Sequence, residues 1–275
     1  MRRELLPMVQ EALSDRYTVE RELARGGAGR VFLARNLEGV PVALKVLHPE
    51  LVVTATADRF LREIRFLSKL SHPNVARLLD YGERDWLVYL AMDFIEGPTL
   101  KQHLVRVRMA SISDTIHIAK GLLSALAYAH SHGVVHRDVK PDNIVLSSSG
   151  PMLLDFGIAR AIEAAGDEKL TRSGFTVGTS AYMSPEQVLA VKDLDSRSDL
   201  YSLGCVLFES LTGRPPFVHR SEAVVLQLQQ TEAAPDVAQL RRETPPSLAN
   251  AVMRALRKDR EERWPSANAM LEALD

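Results

Sequence analysis

The sequence has a single cysteine, Cys205, in 275 residues. That excludes an internal disulfide framework and any cysteine-based zinc site, and it fits a reducing compartment. Cys205 lies in the apolar run Leu203-Gly204-Cys205-Val206-Leu207-Phe208, which reads as a buried, inert thiol rather than a nucleophile. Long hydrophobic runs are also missing: stretches such as Leu87 to Met92 fall far short of the roughly 20 apolar residues a bilayer span needs. Arg2 and Arg3 hint at a signal peptide, but Glu4, Pro7, Gln10 and Glu11 break up any apolar core behind them. There is no excess charge of either sign, since 34 Lys+Arg face 35 Asp+Glu for a net charge of -1. Nothing global therefore draws the chain to nucleic acid or an anionic membrane, and any phosphate chemistry must be local.

What is present is ordinary globular material, 46% apolar and 25% charged, in a length that suggests two domains or one two-lobed one. Leu5, Met8, Val9, Ala12 and Leu13 recur at helical spacing, which predicts an amphipathic helical extension over residues 1–14. Short β-type runs follow at Tyr17 to Leu23, Arg30 to Arg35 and Val40 to Leu47, separated by glycine-rich and turn-like segments, as in an antiparallel meander. Phe60, Ile64 and Leu67 then mark a helix over 58–70, with Glu63 on the same stripe. Strands are expected at Ala76 to Tyr81 and Trp86 to Phe94, before Gly97-Pro98 marks a boundary. Beyond it the pattern is helical, interrupted by a hairpin-like pair, Ile144 to Leu146 and Met152 to Leu154. A β-rich front and an α-rich back predict an α+β fold, with lobes over 15–95 and 96–275.

Three constellations carry chemistry. Ala24-Arg25-Gly26-Gly27-Ala28-Gly29, between two strands, lets backbone amides approach phosphate oxygens closely, although a plain glycine-rich hairpin explains it equally well. Lys45 ends Val42-Ala43-Leu44-Lys45 among apolar neighbours and wants an anion; Glu63 is a core-facing carboxylate in need of a cation. The densest signal is His136-Arg137-Asp138-Val139-Lys140-Pro141-Asp142-Asn143, a polar loop trapped between a buried helix and the Ile144-Val145-Leu146 strand. Twelve residues after Asn143 stands Asp155-Phe156-Gly157, and Asn plus Asp is oxygen ligation for a hard cation such as Mg²⁺.

Taken in order, the glycine loop, Val42-Ala43-Leu44-Lys45, Glu63, the His136 to Asn143 loop, Asp155-Phe156-Gly157 and Ser184-Pro185-Glu186 resemble the motif set of the eukaryotic-type protein kinases, over nearly the whole chain. Lys140 resembles the serine/threonine branch, and Tyr182-Met183-Ser184-Pro185-Glu186-Gln187 has a bacterial wording. The resemblance implies a bilobal kinase fold and transfer of the ATP γ-phosphoryl to Ser or Thr hydroxyls of protein substrates, with Mg²⁺ or Mn²⁺ as cofactor. It implies that residues 24–29 cover the phosphates, that Lys45 contacts them while paired to Glu63, and that Val31, Ala43 and Val145 sandwich the adenine. Met92 resembles the gatekeeper, and the backbones of Asp93 and Ile95 would bond adenine. Asp138 would accept the hydroxyl proton, Lys140 would neutralise the γ-phosphoryl, and Asn143 and Asp155 would hold the metal.

Other matched positions resemble structural or regulatory parts. Glu186 and Arg263 resemble a buried ion pair, Asp199 resembles an acid capping the catalytic-loop backbone, and Thr179 resembles a threonine that bonds Asp138 and Lys140. His136, Phe156, Leu67 and Leu78 resemble an internal spine. Arg137 beside Asp138 implies control by phosphate on Thr171, Ser173 or Thr176, with a homodimer for phosphorylation in trans. Ala24 departs from the family, which has glycine there; a methyl group restricts the backbone without blocking phosphate contact. A pseudokinase would lack Lys45, Asp138 or Asp155, and a small-molecule phosphotransferase would lack the Glu186 anchor; all four residues are present. The expected setting is the cytoplasm, as a free enzyme or as the cytoplasmic domain of a longer membrane-anchored kinase, with neither nucleic acid nor a membrane segment involved.

Overall fold

The computed structural model describes residues 5–26, 29–47, 64–84, 87–156 and 179–274. They form two compact units, one holding the residues up to Ser71 together with Ala76–Ile95, the other holding His72–Val75, Glu96–Phe156 and the chain from 179 on. The first unit is a sheet with a helix against it, the second is mainly helical, and the fold is α+β.

In the first unit, α1 (Leu5–Ala12) precedes β1 (Tyr17–Gly26), β2 (Gly29–Asn36), β3 (Pro41–Leu47), β4 (Leu78–Arg84) and β5 (Leu87–Asp93). The five strands lie in the order β1-β2-β3-β5-β4, with antiparallel neighbours. Of the predicted helix over 58–70, residues 64–67 form one helical turn that buries Ile64 and Leu67, residues 68–70 leave it in a turn that buries Leu70, and 58–63 lie outside the described residues. Strand alternation sorts the side chains. Phe32, Leu44 and Ala91 stand opposite one another on one face, as do Ala34 with Val42 and Val46 with Tyr89. Val9 and Leu13, both without exposed surface, pack on that face with Tyr17, Val19 and Leu87. Gln10 fastens α1 to β1, accepting from the Val19 amide at 2.6 Å and donating to the Tyr17 carbonyl at 3.2 Å. The helical spacing read from Leu5 to Leu13 thus describes a sheet-covering helix.

In the second unit, α2 (Leu100–Val107) starts from a capping box in which Thr99 and Gln102 satisfy each other's backbone amides. The long helix α3 (Ile112–Ser131) ends at Gly133, whose φ of 72° allows the closing bonds from Gly133 to His130 and from Val134 to Ala129. The hairpin of β6 (Ile144–Ser147) and β7 (Gly150–Leu153) lies against α3, and Asn74 holds it through bonds at Pro151 and Leu153. The remaining helices are α4 (Pro185–Val188), α5 (Ser196–Thr212), α6 (Glu222–Thr231), α7 (Val237–Leu240), α8 (Pro246–Ala255) and α9 (Ala267–Glu272). Helix α5 is buried from Ser198 to Leu211, so it is an axis of this unit rather than a surface helix. Cys205 lies inside it, fully buried, and burial pushes its thiol up to about 12, which makes it inert as expected. No helix among the described residues is long and apolar enough to cross a membrane.

The covered face gives a direct expectation. Leu13→Ala opens a cavity between α1 and the sheet and should cost about 2–5 kcal/mol in a urea titration of the purified chain. An unchanged midpoint would show that α1 contributes nothing to the stability of the sheet.

Candidate active site

The polar loop from His136 to Asn143 owes its shape to one buried carboxylate. Asp199, in the first turn of α5, accepts the backbone amides of His136 and Arg137, each at 2.8 Å. It also takes a 2.8 Å contact from His130 Nε2 near the end of α3. Burial pushes the Asp199 carboxyl up, but the bonds from His130 and from the His136 amide outweigh it, and the group stays below its ordinary value. Arg137 sits at φ 69° and Asp155 at φ 61°, left-handed positions that cost a non-glycine residue about 1–3 kcal/mol each. The Asp199 bond to the Arg137 amide offsets part of that cost where it arises. His130, in the last turn of α3, belongs to this assembly; its spacing from the loop holds no signal, because the link runs through α5.

Within the loop, Asp138 Oδ2 receives Lys140 Nζ at 2.8 Å and Asn143 Nδ2 at 2.9 Å. Asn143 Nδ2 also donates to the Asp138 carbonyl at 2.8 Å, which leaves the side-chain oxygen of Asn143 as the atom it can offer to another group. Asp138 keeps about a third of its side chain exposed, whereas Asn143 is buried. The Leu154 amide bonds the Asn143 carbonyl at 2.9 Å, and that bond brings Asp155 alongside Asn143. An amide oxygen and a carboxylate are hard donors, few in number, as a small divalent cation shared with phosphate oxygens requires. The residues therefore fit such a cation. His136 stacks edge-on against Phe156 at 4.6 Å and bonds the Leu154 carbonyl at 2.8 Å, so it is packing rather than chemistry.

The far side of the loop is anchored by Glu186 and Arg263. Arg263 is buried and uses all five of its donors: two on the Glu186 carboxylate at 2.6 and 2.8 Å, and the others on the carbonyls of Arg257, Arg197 and Lys258. Ser198 adds a 2.6 Å bond to Glu186. Burial pushes the Glu186 carboxyl up, but Arg263 and Ser198 reverse this and hold it below its ordinary value. Next to it, Gln187 donates to the Arg137 carbonyl at 2.7 Å, tying α4 to the residue before Asp138. Thr179 opens the 3-10 turn Thr179–Tyr182 that leads into α4.

In the first unit, Val31 stands opposite Lys45, Ala43 opposite Met92 and Lys45 opposite Leu90, so Val31, Ala43, Lys45 and Met92 share the sheet face away from α1. Lys45 is 8% exposed. Ala24 pairs with Val31 as an ordinary strand residue and its φ is not positive, so alanine fits where the family has glycine. Glu22 on β1 pairs with Arg25 of the same strand and with Arg30 across the β1–β2 ladder. The two described glycines of the loop differ: a Cβ on Gly29, at φ 155°, would meet the Val46 carbonyl oxygen at 2.1 Å, whereas one on Gly26 would touch nothing nearer than 4.0 Å. Asp93 closes β5, its carboxylate clamped by Arg77 at 2.9 and 3.1 Å; Ile95 follows, half-buried, and Val145 is buried on β6. Glu63, Gly27, Ala28, Thr171, Ser173 and Thr176 lie outside the described residues.

With this geometry in hand, the chain can be set beside known proteins. Residues 17–273 match the protein kinase domain family, and the chain belongs to it. It is 36% identical to the probable serine/threonine-protein kinase PknB of Lactococcus lactis, over 96% of this chain and 42% of that protein. It is 38% identical to serine/threonine-protein kinase pkn3 of Myxococcus xanthus, over 97% and 51%, and 35% identical to PrkC of Bacillus subtilis, over 96% and 40%. The chain thus spans about half, or less, of the length of these curated relatives.

Two measurements bear on the site. Gly29→Ala should lower stability by about 1–3 kcal/mol through the clash with Val46, while Gly26→Ala should melt close to wild type; equal melting points would dismiss the distinction. Arg263→Met leaves Glu186 buried without its cation and should cost about 3–5 kcal/mol at pH 7. Because Glu186 is held below its ordinary 4.5, its share of the stability is present above that pH and lost as pH falls through the folded value. The gap between wild type and Arg263→Met should therefore narrow in denaturant titrations at pH 4, and a constant gap would contradict the pairing.

Proposed function

We propose that the chain is a serine/threonine protein kinase that transfers the ATP γ-phosphoryl to protein hydroxyls with Mg²⁺ as the metal. The observation that carries this reading is the state of Asp138. One of its carboxylate oxygens is occupied by Lys140 and Asn143, which leaves the other to orient an incoming hydroxyl and accept its proton. The substrate oxygen then bonds to the γ-phosphorus as the bond to the β-γ bridging oxygen breaks, and ADP leaves. Lys140, beside the same carboxylate, is placed to neutralise charge on the transferring group. Asn143 and Asp155 would hold the metal, which supplies charge neutralisation to the phosphates when bound.

The face bearing Val31, Ala43, Lys45 and Met92 suits the nucleotide, with apolar contacts for a purine ring and one buried cation for phosphate. Asp93, Ile95 and Val145 would complete the purine contacts, and Glu63 would pair with Lys45. Arg137, held in a left-handed conformation next to Asp138, is the natural sensor of a phosphate placed on Thr171, Ser173 or Thr176 by a second copy of the chain. The setting proposed is cytoplasmic.

Labelled ATP provides the test. Wild type should label itself or a generic basic protein substrate, and Asp138→Asn should lose about 10²–10⁴-fold in rate while keeping its fold by circular dichroism. Equal labelling by the variant, or none by wild type with Mg²⁺, would overturn the assignment. Peptide mapping of the self-labelled protein should find phosphate between Lys169 and Thr179.

A further inference from the structure

The turn Thr179–Tyr182 lies beside the catalytic loop, for Gln187 ties the following helix to the Arg137 carbonyl and the Tyr182 phenol feels the charge of Asp142. On the kinase reading, a polypeptide presenting its hydroxyl to Asp138 would pass close to this turn, because Gln187 ties the helix after it to the residue before Asp138. Its backbone is held from behind by a buried polar chain that the catalytic machinery does not use. Gln229 on α6, with no exposed surface, donates from Nε2 to the Ser180 carbonyl at 3.2 Å. Its Oε1 accepts from the Tyr201 phenol of α5 at 2.6 Å, and Tyr201 is equally buried. Lys258, after α8, donates to the Tyr201 oxygen at 3.0 Å and to the carbonyls of Leu228 and Gln229 at 3.1 and 2.7 Å. Its ammonium also lies 4.2 Å from the Phe217 ring centre.

Apolar side chains would pack α6 on α5 with no polar group to desolvate, so a linked amide, phenol and ammonium are a costly way merely to fill space. What such a chain supplies is direction: the Gln229 amide is shut off from water, with its oxygen on the Tyr201 phenol, its nitrogen on the Ser180 carbonyl and the Cys205 thiol within hydrogen-bonding reach. Tyr182 is held separately, its hydroxyl on Glu209, so the turn is gripped at two points by different helices.

We propose that Gln229, oriented by Tyr201 and Lys258, is a positioning residue for the protein substrate: it fixes the backbone of the Thr179–Tyr182 turn against which the phosphoacceptor segment is presented. The inference rests on the kinase reading above. It assigns α6 and the segment after α8 a share in substrate selection, although neither would touch ATP or the reacting hydroxyl.

The experiment compares wild type with Gln229→Leu, Gln229→Glu and Tyr201→Phe, using a serine- or threonine-containing peptide that wild type phosphorylates and following amide exchange over residues 179–184. Gln229→Leu and Gln229→Glu both remove the donor to Ser180. Each should raise the peptide KM by about 10-fold, the loss expected of one buried hydrogen bond, with the ATP KM within about twofold and faster exchange in the turn. Tyr201→Phe, which loosens Gln229 without removing it, should fall between. An unchanged peptide KM, or peptide and ATP KM values rising together with a lowered melting temperature, would overturn the proposal. If wild type transfers no phosphate to any substrate, the kinase reading fails by itself. Exchange then decides whether Gln229 anchors the turn, and unaltered exchange in both Gln229 variants refutes the anchoring as well.

Discussion

The Arg263–Glu186 pair is the contact from which the organisation of the helical unit follows. A guanidinium buried in protein is tolerable only if every N–H is used, and here two donors meet a carboxylate while three meet backbone carbonyls of two separate segments. Those carbonyls belong to Arg197 at the start of α5 and to Arg257 and Lys258 after α8. One side chain thereby holds together the entry of the central helix, the exit of α8 and the Ser184-Pro185-Glu186 corner. Tyr201 lies under the guanidinium at 4.9 Å, so the helix that carries the anchor also supplies its apolar floor.

From that frame, α5 extends two arms toward the chemistry. Asp199, in its first turn, fixes the amides of His136 and Arg137, and Glu209, near its last, receives the Tyr182 hydroxyl and, at 3.3 Å, Lys101. The His136–Asn143 loop and the Asp155 segment beside it are not at their conformational minimum, since Arg137 and Asp155 both hold left-handed backbone. Such strain persists only where neighbours over-determine it, and Asp199 below and Gln187 above Arg137 are those neighbours. Order in the loop is thus imported from a buried helix, which explains how eight mostly polar residues hold one arrangement without a hydrophobic cluster of their own.

The sequence made most of this legible where a local rule applies. Strand alternation is one such rule, sorting Val31, Ala43 and Lys45 to one face and Val42 and Leu44 to the other, and a glycine after a helix, such as Gly133 at φ 72°, is another. Strand ends shifted by up to three residues: β1 runs on to Gly26, and β4 starts at Leu78 and continues to Arg84. Ladder hydrogen bonds, rather than apolar content, set those limits. Crossed connections and distant polar partners were not legible. Nothing in the run of residues says that β5 enters the sheet between β3 and β4, or that His130 meets a carboxylate 69 positions away. The short helix α7, with only four residues, has too little periodicity to announce itself.

Glycine shows why motif and mechanism must be separated. Gly26 and Gly29 belong to one motif and suggest one purpose, closeness to phosphate. Yet Gly29 is required by the protein itself, because β3 approaches so near that any side chain would strike the Val46 carbonyl, whereas Gly26 has open space on its Cα. The tight β2–β3 approach holds Val31 in register with Lys45, and α1 presses the same strands together from the opposite face. A motif glycine can therefore act through the fold, by fixing the strand that carries Lys45. The alanine at position 24 is tolerable for the matching reason, since neither its backbone angle nor its neighbours call for glycine there.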